Sequence, residues 1–181
     1  MPSNQDRLYV ALYGQGNSAP GPDDTYHWAL ITGPAHEVSG SRGMRYHAKQ
    51  AVSEIDPLRS TWNRQVHDIS MMPAAMILIR IMVAEISDAG RTGAVLEAVP
   101  VVQDDPRWTC RIWVKDALEA LERDRGCLGA RRLEWGDVEA RAREYVEWKR
   151  ETGRFRVPAP GEELRIVVPT YDLIEETETV A

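Results

Sequence analysis

Two separated segments of the chain carry residue types that together make a thiol nucleophile. Tyr26-His27-Trp28-Ala29-Leu30-Ile31 places a histidine in a run of strand formers, and a second histidine follows at His47. Trp108-Thr109-Cys110-Arg111-Ile112-Trp113-Val114-Lys115-Asp116-Ala117-Leu118 begins a helical pattern at a cysteine. A thiol attacks at neutral pH when a base lies within reach and a helix N-terminus favours its negative charge. Asp105-Pro106 stops any preceding element, so Cys110 falls in the first turn of the helix. Unpaired backbone N–H groups there lower a thiol pKa from about 8.5 to between about 3.5 and 7.5. The competing reading of Cys110 is a small buried hydrophobe among tryptophans. Cys127, at the other end of that helix, meets the wrong dipole sign and reads as structural.

His27 shares a strand face with Ala29 and Ile31, while Trp28 and Leu30 turn to the other side. On neighbouring strands, His27 and His47 supply a base and a second polar group that fixes the base's tautomer. Each also reads as an ordinary polar residue: His27 hydrogen-bonded within the fold, His47 solvated beside Arg45 and Lys49. A zinc site built from His27, His47 and Cys110 needs a fourth ligand or an open water position. Nothing at metal-ligand spacing supplies a closed site. Acyl transfer by a thiol requires no metal and no other cofactor. His36 and His67 fall in loop-like segments and are assigned no role.

These residues need elements to position them. Residues 7–14 alternate as a first strand, 15–24 read as a loop, and 25–33 form a second strand. A third strand over 45–51 carries His47. Residues 52–75, with Trp62, read as irregular or edge structure. Met76 to Ile86 is too continuously apolar for a half-exposed strand and reads as a buried central one. The second half is helical: 91–99 up to Pro100, 109–124 up to Gly126, and 135–151. In the middle helix Trp113, Val114, Ala117, Leu118 and Leu121 form one stripe. Residues 164–168 read as a last strand, and the acidic tail 172–181 as solvated or loosely docked. The expectation is one α+β domain over 1–181, strand-rich over 7–86 and helix-rich over 91–151.

Composition narrows the function classes. The chain has 181 residues, 43% hydrophobic and 28% charged, which suits one globular domain with a substantial core. A net charge of −6 argues against nucleic acid as a principal partner. The apolar run near Ala74–Ala84 is broken by Arg80 and too short to span a bilayer. The first residues lack the apolar core of a signal peptide. Two cysteines build no disulfide framework, so a cytoplasmic protein with free thiols is expected.

Tyr-His-Trp-Ala-Leu-Ile, a glycine-containing turn and Tyr46-His47-Ala48 resemble the strand-turn-strand histidine motif of lecithin:retinol acyltransferase-like proteins. These include the H-Ras-like suppressor phospholipases and share circularly permuted papain-like folds. There the histidines precede the cysteine, which opens a helix; the order here is His27, His47, Cys110. The resemblance implies an antiparallel sheet packed against about three helices, with Cys110 as nucleophile, His27 as general base and His47 as orienting residue. The chain departs from the family pattern at Thr109, Arg111 and Ile112, and in its longer turn from Gly33 to Arg45. The stretch 99–105 and the helix around Tyr145–Lys149 are similar to small uncharacterised fungal proteins, which brings no activity with it.

The function expected is a cysteine-dependent acyl-transfer enzyme, hydrolase or acyltransferase, acting on a small-molecule or peptide amide, ester or thioester. Tyr13, Gln15 and Trp28 are expected to line its cleft. Lipid-active relatives often carry an apolar C-terminal anchor, whereas this tail reads Glu-Glu-Thr-Glu-Thr-Val-Ala. The alternative is a non-catalytic binding or scaffold domain of the same fold.

Overall fold

A strand first in sequence becomes central when both its faces are apolar, and Leu8-Tyr9-Val10-Ala11-Leu12 is such a strand. The computed structural model describes residues 5–14, 26–56, 58–73, 76–163 and 166–181. Among these, β1 (Asp6–Gly14) lies between β2 (Tyr26–Pro34) and β5 (Ile77–Ile86). The sheet continues outward through β3 (Arg42–Val52) to β4 (Ser60–Ser70) on one side. On the other it runs through β7 (Thr170–Asp172) to β8 (Thr177–Val180), and β6 (Leu128–Arg131) also pairs with β5. The loop expected over 15–24 lies outside the described residues.

The helices α1 (Ala89–Ala98), α2 (Cys110–Asp124) and α3 (Trp135–Glu151) gather on one face of the sheet. Leu8, Val10, Leu12, Trp28, Leu30, Ile79, Ile81 and Val83 meet there the α2 stripe of Trp113, Val114, Ala117, Leu118 and Leu121. Asp88 caps α1 by accepting from the Arg91 N–H (2.9 Å). Arg125 ends α2 in the left-handed region (φ 58°), one residue before the expected stop at Gly126. The opposite face carries a smaller apolar cluster of Tyr9, Ala11, Tyr13, Ala29, Ile31, Met71 and Met82. Arg80 is buried beside it and paired with Glu37 (2.6 Å).

The fold is α+β, as expected, but the sheet is mixed rather than antiparallel. β7 runs parallel to β5 over Arg80–Met82, because the chain returns only after the long helical excursion through α1, α2 and α3. Of the two expectations for 52–75, residues 60–70 take the edge one: β4 is the outermost strand and pairs with β3 along its whole length, from Arg42↔Ser70 to Val52↔Ser60. The last strands begin at Thr170, beyond the expected 164–168, of which 164 and 165 lie outside the described residues. The acidic tail is docked as β8. Its Glu178 neutralises Lys149, which is 5% exposed, and accepts a hydrogen bond from the Tyr145 hydroxyl (2.8 Å).

Gly33 on β2 and Gly43 on β3 leave room for Met71 across the sheet. A Cβ at Gly43 would stand 2.5 Å from the Thr32 carbonyl oxygen and 2.6 Å from Met71 Sδ. Backbone cannot yield as a side chain can, so Gly43→Ala should destabilise the fold by about 1–3 kcal/mol. Gly90→Ala, whose nearest new contact is 3.6 Å away in α1, should be neutral or mildly stabilising. Urea unfolding of both variants checks this; equal midpoints would contradict the packing described.

Candidate functional site

β2 and β3 are paired only over Leu30–Thr32 against Met44–Tyr46, although β2 begins at Tyr26 and β3 runs on to Val52. Between Tyr26 and Ala29 a seam therefore opens inside the sheet. β1 remains paired with β2 along that whole stretch, so the seam lies on the β3 side alone. The N-terminus of α2 enters it: the backbone N–H of Trp28 donates to Cys110 Sγ (3.5 Å). Cys110 is the first residue of α2. Its N-cap, Thr109, makes no side-chain capping bond, and the first turn holds no acidic residue. The partial positive charge of the helix end is thus left to the thiol.

The two histidines meet on the other face of β2 and β3. His27 Nε2 and His47 Nδ1 are 2.6 Å apart, with ring planes at 76°. The ladder register makes them diagonal neighbours, since Leu30↔Tyr46 sets Ala29 opposite His47. A bond between two imidazoles needs one N–H and one lone pair, so the pair cannot be doubly protonated and keep it. Burial lowers His27 from 6.5 to about 4, aided by the Arg45 and Lys49 charges. Burial likewise lowers His47 to about 3, with His27, Arg45, His67 and Lys49 adding to it. Both rings are neutral at pH 7.

The structure thus brings His27 and His47 into contact and sets the Cys110 sulfur against the peptide that joins His27 to Trp28. It does not put thiol and imidazole on one face. Cys110 is buried with Trp108 and Trp113 on the helix side, whereas His27 leaves β2 on the opposite side. Tyr13 stands beside His27, ring centroids 6.1 Å apart. Trp28 is fully buried against Trp135 and under the Arg143 guanidinium, so its indole is core rather than cleft wall. Gln15 lies outside the described residues. Among the described residues no group of three or more His, Cys, Asp or Glu is placed to hold a metal. Burial pushes the Cys127 thiol up, in keeping with a structural role.

One neighbour of His47 escapes the sequence reading. His67 lies on β4, not in a loop, and its ring packs edge-on against His47 at 5.6 Å. Arg45 sits 5.5 Å over the Tyr13 ring. The signal was present only as alternation: Arg45, His47 and Lys49 share one face of β3, and β4 answers Arg45 with His67.

Because the folded pKa values of His27 and His47 lie below 6.5, the unfolded chain binds protons first on acidification. Stability is full above about pH 6.5 and falls as pH drops toward 4, by about 3 kcal/mol for His27 alone. Thermal melts between pH 7 and 4 should show this loss. His27→Gln should flatten it relative to His36→Gln; parallel curves for both variants would exclude a buried neutral pair.

No curated protein and no solved structure matches the chain. One family model does, over residues 5–180. The chain therefore belongs to that family, described as a family of unknown function (DUF6914).

Proposed function

We propose that the protein is a cysteine-dependent acyl-transfer enzyme, hydrolase or acyltransferase, of permuted papain-like architecture like the lecithin:retinol acyltransferase group. Cys110 is the nucleophile, His27 the general base and His47 the residue that orients it. The observation that carries this reading is the meeting of three features at one point of β2. A cysteine opens a helix, its sulfur takes the N–H next to His27, and His27 is bonded at 2.6 Å to a second imidazole.

The chemistry constrains the tautomers. His27 accepts a proton only through a lone pair, and Nε2 is engaged with His47, so Nδ1 must be the basic nitrogen. Nε2–H then donates to His47 Nδ1, and the His47 proton sits on Nε2. That atom is buried and has no hydrogen-bond partner. An unpaired buried N–H costs about 1–3 kcal/mol, so the productive tautomer is held against that penalty. The His27 ring leaves β2 away from the helices, so in this reading the proton passes between sulfur and imidazole through the seam between β2 and β3. His27 takes the Cys110 proton, the thiolate attacks the acyl carbonyl, and His27 returns the proton to the leaving group. Water or a second nucleophile then releases the acyl group. The backbone N–H of Cys110, at the start of α2, is the oxyanion donor in this reading. Tyr13 flanks the base, and Trp28 contributes its backbone N–H rather than its ring.

A second reading, a non-catalytic binding domain, draws on one observation: Cys110 is only 4% exposed and packs among tryptophans. The pH dependence of iodoacetamide alkylation, followed by mass spectrometry, separates the two. An activated Cys110 labels quickly down to about pH 6, while Cys127 in the same molecule does not. His27→Ala should slow Cys110 labelling by about 10²-fold or more. Labelling that rises only near pH 8.5, unaffected by His27→Ala, would make Cys110 structural and favour the binding domain.

A further inference from the structure

Arg45, His47 and Lys49 alternate along β3, so all three leave it on the face that carries His27. The Arg45 guanidinium rests on Tyr13, whose ring is the neighbour of His27. Continuing the β2–β3 register past Leu30↔Tyr46 sets Lys49 across the seam from His27. Two cations therefore flank the base, one on either side of His47.

Neither has a carboxylate partner among the described residues. Their neighbours do: Arg42 on the same strand pairs with Asp68 (2.5 Å), and buried Arg80 pairs with Glu37 (2.6 Å). The chain has 28 acidic and 22 basic residues, so acids are in surplus, yet among the described residues none is paired with Arg45 or Lys49. Arg45 is only partly exposed, and its Nε is buried without a hydrogen-bond partner. Withdrawing a guanidinium from water without a counter-charge is costly, and the Tyr13 ring offsets only part of that cost. Serving the fold alone, Arg45 would be expected to carry an acid as Arg80 does.

We infer that Arg45 and Lys49 bind an anionic group of the acyl substrate, a carboxylate or a phosphate, and so hold the acyl carbon beside the seam. This rests on the reading of Cys110 as the nucleophile. Arg45 offers a planar fork to an oxyanion, and Lys49 a mobile point charge at the rim. The substrate class is an ester, amide or thioester that bears a negative charge near the scissile bond.

Iodoacetate and iodoacetamide test this without a known substrate. Both alkylate by the same step: the thiolate forms an S–C bond as the C–I bond breaks and iodide leaves. Only the first carries a carboxylate. Wild-type Cys110 should react with iodoacetate in a saturable manner. In Arg45→Gln/Lys49→Gln the iodoacetate rate should fall about tenfold more than the iodoacetamide rate. Arg45→Lys, which keeps the charge, should retain most of the preference, and this separates charge from a loss of folding. Rapid reaction with both reagents and an unchanged ratio in the double variant would overturn the anion site while leaving the nucleophile intact. Slow reaction with both would overturn the nucleophile, and the anion site with it. Protection of wild-type Cys110 from iodoacetamide then distinguishes the sources. Stronger protection by acetate assigns a carboxylate, and stronger protection by inorganic phosphate assigns a phosphate ester. Protection by neither would count against the site.

Discussion

The early end of the β2–β3 ladder is the constraint on which the site depends. Past Leu30 the two strands no longer serve each other, and backbone donors inside the sheet must find other acceptors. Each one left unmet and buried costs about 1–3 kcal/mol. The Trp28 N–H is met by sulfur, and this brings the opening residue of α2 to the middle of the sheet. The approach to α2 is tied down in the same manner. The Gln103 side-chain amide accepts from the Trp62 N–H (2.9 Å) and donates to the Trp62 carbonyl (2.7 Å), as a neighbouring strand would. Trp62 and Trp108 then pack edge to face at 5.2 Å. Because β4 is a full-length hairpin partner of β3, the strand carrying His47 and the segment leading to Cys110 are held to one frame. Tyr26 closes the other end of β2, donating to Glu147 (2.6 Å) and accepting from Arg150 (2.7 Å) on α3.

Electrostatics divides the molecule along the same line. On the helix side charges are matched locally, as in Arg111 with Glu139 and Arg143 with Glu139. On the histidine side Arg45 and Lys49 stand beside two imidazoles that burial has already made reluctant to charge. The helix N-terminus adds positive potential from the other side of the seam. The two cations and the helix end favour a thiolate over a thiol, while the burial of Cys110 itself opposes its ionisation. The cations together with burial favour a neutral imidazole over an imidazolium. That pattern suits a nucleophile that attacks as an anion more than a base that must carry a full proton for long. Low local dielectric makes each contribution larger than it would be in water.

Much of this could be read from residue order alone, and the remainder fails for identifiable reasons. β1, β2, β5, α2 and α3 announce themselves because their apolar periods are local. The opposite facing of His27 and Trp28 follows from alternation in one strand. β4 does not alternate: Thr61-Trp62-Asn63-Arg64-Gln65-Val66-His67-Asp68 is an edge strand, held by hairpin register with β3 rather than by burial. Its histidine was therefore invisible as a neighbour of His47. The tail reads as solvated by charge, but Glu178 answers Lys149, a partner 29 positions away that no local window contains. The seam is least legible of all, since it is the absence of pairing between two strands that each look complete.

The cations and the imidazoles form one coupled system if an anion occupies the site. Arg45 and Lys49 depress His27 because they oppose a third positive charge nearby. A carboxylate or phosphate seated between them cancels that opposition, so the His27 pKa moves up toward its ordinary value as the substrate binds. A base at about 4 is a weak proton acceptor from a thiol; one nearer neutrality is matched to the task. In the empty site the imidazoles stay neutral. In the occupied site the same residues favour transfer of the Cys110 proton to His27. Under the proposed function, the charge that recognises the substrate and the charge that restrains the base are the same two side chains.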